Sequence, residues 1–88
     1  MKEQYMTKQE IIEKVNTLLV EEFEIEQSLL SPQAQLKQDL EIDSLDFVDI
    51  VVLIEREFGF KPQPAELKTV KTLAELYDYI EKRLKVKG

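Results

Sequence analysis

Three stretches of this chain repeat apolar residues every three to four positions, and each opens with a helix-capping signal. Thr7 with Glu10 reads as a capping box, and Ile11, Ile12, Val15, Leu18, Leu19 and Phe23 then predict a first helix over about residues 8–22. Asp43 with Asp46 marks a second start. Behind it Phe47, Ile50, Val51, Ile54 and Phe58 fall at i, i+3, i+4, i+7 and i+11, and Gly59 stands where a C-cap glycine belongs, so a second helix is expected from Ser44 to about Phe58. Val48, Ile50, Val51, Val52 and Ile54 would also suit a buried strand, but length and spacing favour the helix. Thr72 with Glu75 opens the last helix, where Leu73, Leu76, Tyr77, Ile80 and Leu84 keep the period to about residue 84. The basic run from Lys82 through Arg83 and Lys85 to Lys87 matches the negative end of that helix dipole.

Between these helices the period fades. Glu24 to Asp43 forms a connection of about twenty residues, long for a loop in so small a domain, so it should be packed down by its own side chains. Ile25, Leu29, Leu30, Leu36, Leu40 and Ile42 are the expected anchors, and Ser31-Pro32 reads as a local cap and first turn. Pro62 and Pro64 interrupt the chain, and Ala65 to Val70 leaves room for a short helical turn or two. The expected fold is all-α: an irregular four-helix bundle with a long first connection and a short third helix. It would occupy residues 7–85, with flexible ends at 1–6 and 86–88. On the second helix, Leu45, Val48 and Val52 form an apolar strip apart from the first. A helix apolar on two sides either sits deep in a protein or offers one side to a partner.

Composition narrows the chemistry. Eighty-eight residues with 43% hydrophobic content suit one small core. There is no Cys and no His, which excludes disulfides, thiolate zinc sites, thiol nucleophiles, imidazole bases and His metal ligands. The formal charge of −6 repels nucleic acid and anionic lipid. The longest apolar run, Ile50–Ile54, is far short of a membrane span, and the first residues lack a signal-peptide apolar region, so a cytoplasmic protein is expected; a monomer is the expected state.

Ser44 is the most informative residue. It lies at a helix start between Asp43 and Asp46, where a serine is commonly only a cap. As an attachment point it would be well placed, because free N–H groups and the positive dipole end at a helix start tolerate a phosphate. The flanking aspartates oppose such an anion and suit a cation, either a metal ion held during modification or a basic partner surface. No Lys stands beside Ser44 in sequence, although folding could bring one such as Lys37 near, so the serine is expected to be a substrate rather than a catalyst.

The run Asp39-Leu40-Glu41-Ile42-Asp43-Ser44-Leu45-Asp46 resembles the Asp-Leu-Gly-x-Asp-Ser-Leu-Asp attachment motif of the acyl carrier proteins. From Asp39 to Ile80 the bacterial carrier pattern can be laid over the chain without a gap, through Glu55, Glu57 and Phe58 to Asp78-Tyr79-Ile80. The resemblance implies a non-enzymatic carrier. Ser44, with its motif neighbour Asp43, would receive 4′-phosphopantetheine from coenzyme A through a magnesium-dependent phosphopantetheinyl transferase. Acyl intermediates would ride on the arm's thiol to acyl-loading enzymes, ketosynthases and other enzymes of fatty-acid, polyketide or related synthesis. Asp43, Asp46, Asp49 and Glu55 with Leu45, Val48 and Val52 resemble the family's recognition face for basic partner patches. Phe47, Ile50, Ile54, Leu67, Val70 and Leu76 would line the cargo cavity between helices two, three and four.

Four departures bear on these expectations. Glu41 replaces a common Gly, so its turn either avoids positive φ or adopts it with strain. Arg56 occupies an often acidic place, which would weaken or redirect docking there, while Phe47 and Leu67 are larger than usual and would narrow the cavity or simply pack the core. A free-standing peptidyl or aminoacyl carrier shares the serine and arm but differs in cargo. A helical interaction module in which Ser44 is only a cap is the reading from another class.

Overall fold

The computed structural model describes residues 7–85 and contains helices α1 (Lys8–Phe23), α2 (Ser44–Phe58), α3 (Pro64–Leu67) and α4 (Leu73–Lys85). The segments expected to be flexible, 1–6 and 86–88, lie outside the described residues, as does Lys87. All three capping boxes form. Thr7 Oγ1 accepts from Glu10 N at 3.1 Å while Thr7 N donates to Glu10 Oε1 at 2.9 Å. The Asp43–Asp46 pair does the same at α2, with distances of 3.1 and 3.2 Å, and Thr72–Glu75 does it at α4 with 3.2 and 3.4 Å. α1 ends on Glu24 in the left-handed region at φ 56, and α2 ends on Gly59 at φ 84, the conformation that glycine adopts without a Cβ penalty.

The helices pack α1 on α4 and α2 on α3 around one core. α1 contributes Ile11, Val15 and Leu19, α2 contributes Ile50, Val51, Leu53, Ile54 and Phe58, and α4 adds Leu73, Leu76, Tyr77 and Ile80. α3 adds one buried residue, Leu67. Among the described residues the core contains no buried charged side chain. Burial of each large apolar side chain stabilises the fold by about 1.5–3 kcal/mol, so a chain this small depends on nearly all of them.

The long connection is pinned to the start of α4 by its backbone. Leu36 N donates to Lys71 O at 2.9 Å, Leu73 N to Ala34 O at 3.0 Å and Ala74 N to Pro32 O at 3.0 Å, with an antiparallel bridge between Gln35 and Thr72. These bonds also satisfy N–H groups in the first turn of α4, which have no acceptor within their own helix. Ile25, Leu36, Leu40 and Ile42 are buried as expected, and Ala34 joins them. Leu29 corrects the expectation: it is 46% exposed. Gln27–Leu29 forms a 3₁₀ turn, and its tight i→i+3 geometry turns Leu29 to solvent while Leu30 packs against the core. Ser31-Pro32 likewise does not begin a helix. Ser31 O accepts from Ala34 N at 3.0 Å, closing a β-turn, and the next carbonyls are already used by α4.

Polar contacts at the helix ends complete the bundle. Arg83 turns back from α4 rather than staying at the dipole: it donates to Tyr79 Oη at 2.9 Å and lies 5.0 Å from the centre of the Phe60 ring. Tyr79 Oη donates to Glu66 at 2.8 Å and accepts from Gln63 N at 3.1 Å, which ties α3 to α4 beside the buried Pro62. Tyr77 donates to Asn16 Oδ1 at 2.6 Å, joining α4 to α1. Burial pushes the Tyr77 phenol above its ordinary value, against a smaller opposing pull from that hydrogen bond. Because the folded state then binds the proton more tightly than the unfolded chain, Tyr77's contribution is complete below about pH 10 and declines as pH rises beyond it. Tyr77→Phe should abolish that part of the alkaline decline in urea titrations between about pH 9 and 11. At neutral pH it should cost about 1 kcal/mol, because Asn16 loses its partner.

Candidate functional site

Ser44 is the first residue of α2, and its side chain is exposed. The N-cap is Asp43, which corrects the reading of Ser44 as a cap: the bond that a cap side chain makes, to the N–H of residue 46, belongs to Asp43 Oδ1. The Asp43 and Asp46 carboxylates each accept from the other's backbone N–H, so the capping box leaves the N–H groups of Ser44 and Leu45 without an intrahelical acceptor. The serine hydroxyl is therefore presented at a rigid helix start with open donors beside it.

The loop before Ser44 is tied down by its own backbone. Asp39 Oδ2 accepts from Gln35 N at 2.8 Å, Asp39 N and Leu40 N both donate to Gln35 O, and Ile42 N donates to Leu36 O at 2.9 Å. Leu40 and Ile42 plug into the core on either side of Glu41, which adopts φ 58. A non-glycine residue in that region is strained by about 1–2 kcal/mol, which a glycine would relieve at an unfolded-state entropy cost of about 0.4–1 kcal/mol. Glu41→Gly should therefore raise the melting temperature by a few degrees without changing how Ser44 is presented. Calorimetry of the variant checks this.

Along α2 the second apolar strip faces outward: Leu45 is 77% exposed, Val48 61% and Val52 56%. Asp49 and Glu55 are exposed on the same helix, and Asp46 is half-buried in its capping box. Arg56 turns toward α1 instead, reaching Glu22 at 3.9 Å and Glu57 at 3.6 Å. It lines a groove of about 640 Å³ between α1 and α2 that does not include Ser44.

The six residues expected to share one cavity divide into three groups. Ile50, Ile54 and Leu76 line an apolar cavity of about 10 Å³ between α1, α2 and α4, no larger than one water. Phe47 and Val70 line a different groove of about 410 Å³ that opens beside Ser44, and Leu67 lies fully buried with no exposure to either space. The groove beside Ser44 is also lined by Lys37, Lys68 and Lys71. Lys37 was foreseeable as a neighbour of the serine, but Lys68 and Lys71 were missed. They come from the α3–α4 connector, which the Leu36–Lys71 backbone bond and the Gln35–Thr72 bridge bring against the long connection.

The helical bundle exposes Ser44 at the start of α2 beside an outward apolar strip, the arrangement of a carrier domain. The phosphopantetheine attachment site family matches residues 13–80. The acyl carrier protein of Thermotoga maritima is 38% identical over 89% of this chain and 96% of its own length, and that of Thermosynechococcus vestitus is 30% identical over 90% and 98%. The solved acyl carrier protein of Enterococcus faecalis superposes with a TM-score of 0.72 at 30% identity, covering 88% of this chain and 98% of that one. The chain belongs to the acyl carrier protein family. Its covalent group is 4′-phosphopantetheine, which Ser44 suits in exposure and position.

Proposed function

We propose that Ser44 is the attachment residue and that the holo protein presents thioester-bound acyl groups to a dissociated set of cytoplasmic synthases, with fatty-acid synthesis the usual setting. The observation that carries this reading is the exposed Ser44 hydroxyl at the first position of α2, with its capping role taken over by Asp43. Because the chain has no His and no Cys, activation of the hydroxyl falls to the transferase, which takes up the serine proton as Ser44 Oγ bonds to the phosphopantetheine phosphorus of coenzyme A and the pyrophosphate bond breaks, releasing adenosine 3′,5′-bisphosphate. Intact mass after incubation with coenzyme A, magnesium and a broad-specificity phosphopantetheinyl transferase tests it: the expected result is one added phosphopantetheine. An unchanged mass in a folded sample would defeat the carrier reading. Comparing a ketosynthase with adenylating enzymes as loading partners then separates an acyl from an aminoacyl or peptidyl carrier.

Partner enzymes are read to dock on the outward strip Leu45, Val48 and Val52, bordered by Asp46, Asp49 and Glu55. The apolar centre supplies contact area, and the acidic border steers basic partner patches within a screening length of roughly 8 Å. Arg56 marks the end of that surface, since its guanidinium is directed to α1. Leu45→Ala should lower kcat/KM for transferase loading about tenfold, because it removes the most exposed apolar side chain from the centre of the docking surface. Its melting temperature should hardly move, because the side chain is 77% exposed. A loading rate equal to that of the native chain would remove Leu45 from the docking surface.

The bulk of Phe47 and Leu67 supports a cargo held short of the interior. Phe47 packs on the core and Leu67 is fully buried, so the α2–α3 side is filled. A short or unsequestered cargo fits this packing better than a long saturated chain.

A further inference from the structure

We propose that Lys37, Lys68 and Lys71 form an anion cradle that holds the phosphodiester of the arm on Ser44 and lays the adjoining pantothenate unit along the groove. This inference rests on Ser44 being the attachment residue. It begins from a conflict within the motif: a phosphodiester on Ser44 would meet Asp43 and Asp46, two carboxylates within two residues of it. The chain as a whole is also acidic, at −6.

Tertiary structure reverses the sign on one side of the serine. The groove of about 410 Å³ that opens at Ser44 has three lysines and no carboxylate in its lining. Among the described residues, none of these three ammonium groups forms an ion pair, in common with Lys61 and Lys82 outside the groove and unlike Lys8, Lys14, Arg56 and Arg83. Three like charges gathered around one opening repel one another unless an anion lies between them. The arm's phosphate is such an anion, joined to the residue at the groove's edge.

The rest of the lining suits the pantothenate unit beyond the phosphate. Pantothenate carries a geminal dimethyl carbon next to a hydroxyl and an amide. Phe47 and Val70 offer apolar surface for the methyl groups, while Gln35 and Gln38 can exchange hydrogen bonds with the hydroxyl and amide. Lys71 and Lys37 are positioned by the backbone that joins their segments, since Leu36 N donates to Lys71 O at 2.9 Å and Gln35 bridges Thr72. The cradle is therefore built on a fixed seam rather than on a loose loop. It would bias the arm toward the α3 side in the free carrier and release it when a partner competes for the phosphate.

Proton NMR of the holo protein tests the proposal. At low salt the geminal methyl signals should be separated from their free-arm positions and should show nuclear Overhauser contacts to the Phe47 ring. Adding about 1 M salt, where the screening length falls to roughly 3 Å, should weaken those contacts severalfold. In the holo form of the triple variant K37Q/K68Q/K71Q they should be lost, while holo Lys61→Gln, an exposed lysine outside the groove, retains them. A native holo protein confirmed by mass whose methyl signals coincide with those of the free arm would overturn the cradle and leave attachment intact. Methyl contacts that survive both salt and the triple substitution would equally overturn it. Failure of Ser44 to take up the arm at all would show in the mass and would defeat the carrier reading instead.

Discussion

Ser44→Ala should abolish phosphopantetheine attachment and leave the protein at least as stable as before. The first result follows from the loss of the only hydroxyl at the start of α2. The second distinguishes an attachment residue from a cap. Were Ser44 the N-cap, alanine would cost about 1 kcal/mol, but the capping bond at 3.1 Å belongs to Asp43. At the first helical position alanine is the better helix former by up to about 0.5 kcal/mol. Asp43→Ala is the reciprocal case: it should destabilise by about 1 kcal/mol through loss of the box. Intact mass and calorimetry on the two variants read both effects. A Ser44→Ala protein that still gained the arm would move the attachment site elsewhere.

Leu67→Ala has the largest expected effect on stability. Leu67 has 0% exposure and is the single buried residue of α3, a helix of 4 residues that has no side-chain cap. Truncating a fully buried leucine costs about 2–5 kcal/mol, through lost transfer energy plus the cavity left behind. A chain of this size has in total roughly 4–13 kcal/mol. The melting temperature should fall by about 10–20 °C, and α3 should lose protection from hydrogen exchange before the rest of the bundle. The same variant reads out cargo placement. If Leu67 and Phe47 exclude long chains from the α2–α3 side, a long acyl group on the holo arm should stabilise Leu67→Ala by several degrees more than it stabilises the native protein. Equal gains in both would show that the native packing already opens for the chain, and the short-cargo reading would fail.

Much of this architecture was legible in the sequence. α1, α2 and α4 begin within a residue of where Thr7, Asp43 and Thr72 predict, because capping boxes and helical stripes are local: their partners lie three or four residues away. The motif Asp39–Asp46 was equally local, and it singled out Ser44 as the candidate. The long connection was harder. Leu29 turned outward because Gln27–Leu29 winds as a 3₁₀ turn, whereas after Ser31 the carbonyls of Pro32 and Ala34 are taken by the N–H groups of Ala74 and Leu73, about forty residues away in sequence. Glu41 could be placed at a turn, but whether it accepts positive φ depends on Leu40 and Ile42 being held in the core on both sides.

By itself, then, the sequence determined an all-helical carrier with one candidate serine, because helix periods, caps and a contiguous motif are written in residues that lie close along the chain. Tertiary structure alone decided that the Leu45–Val48–Val52 strip faces out and that Asp43 rather than Ser44 caps α2. It also divided the expected cargo lining between two spaces and gathered Lys37, Lys68 and Lys71 around one opening. Those features depend on which surfaces meet when α3 and its connector fold onto α2 and the long connection. Periodicity in one segment carries no record of the segment it will touch.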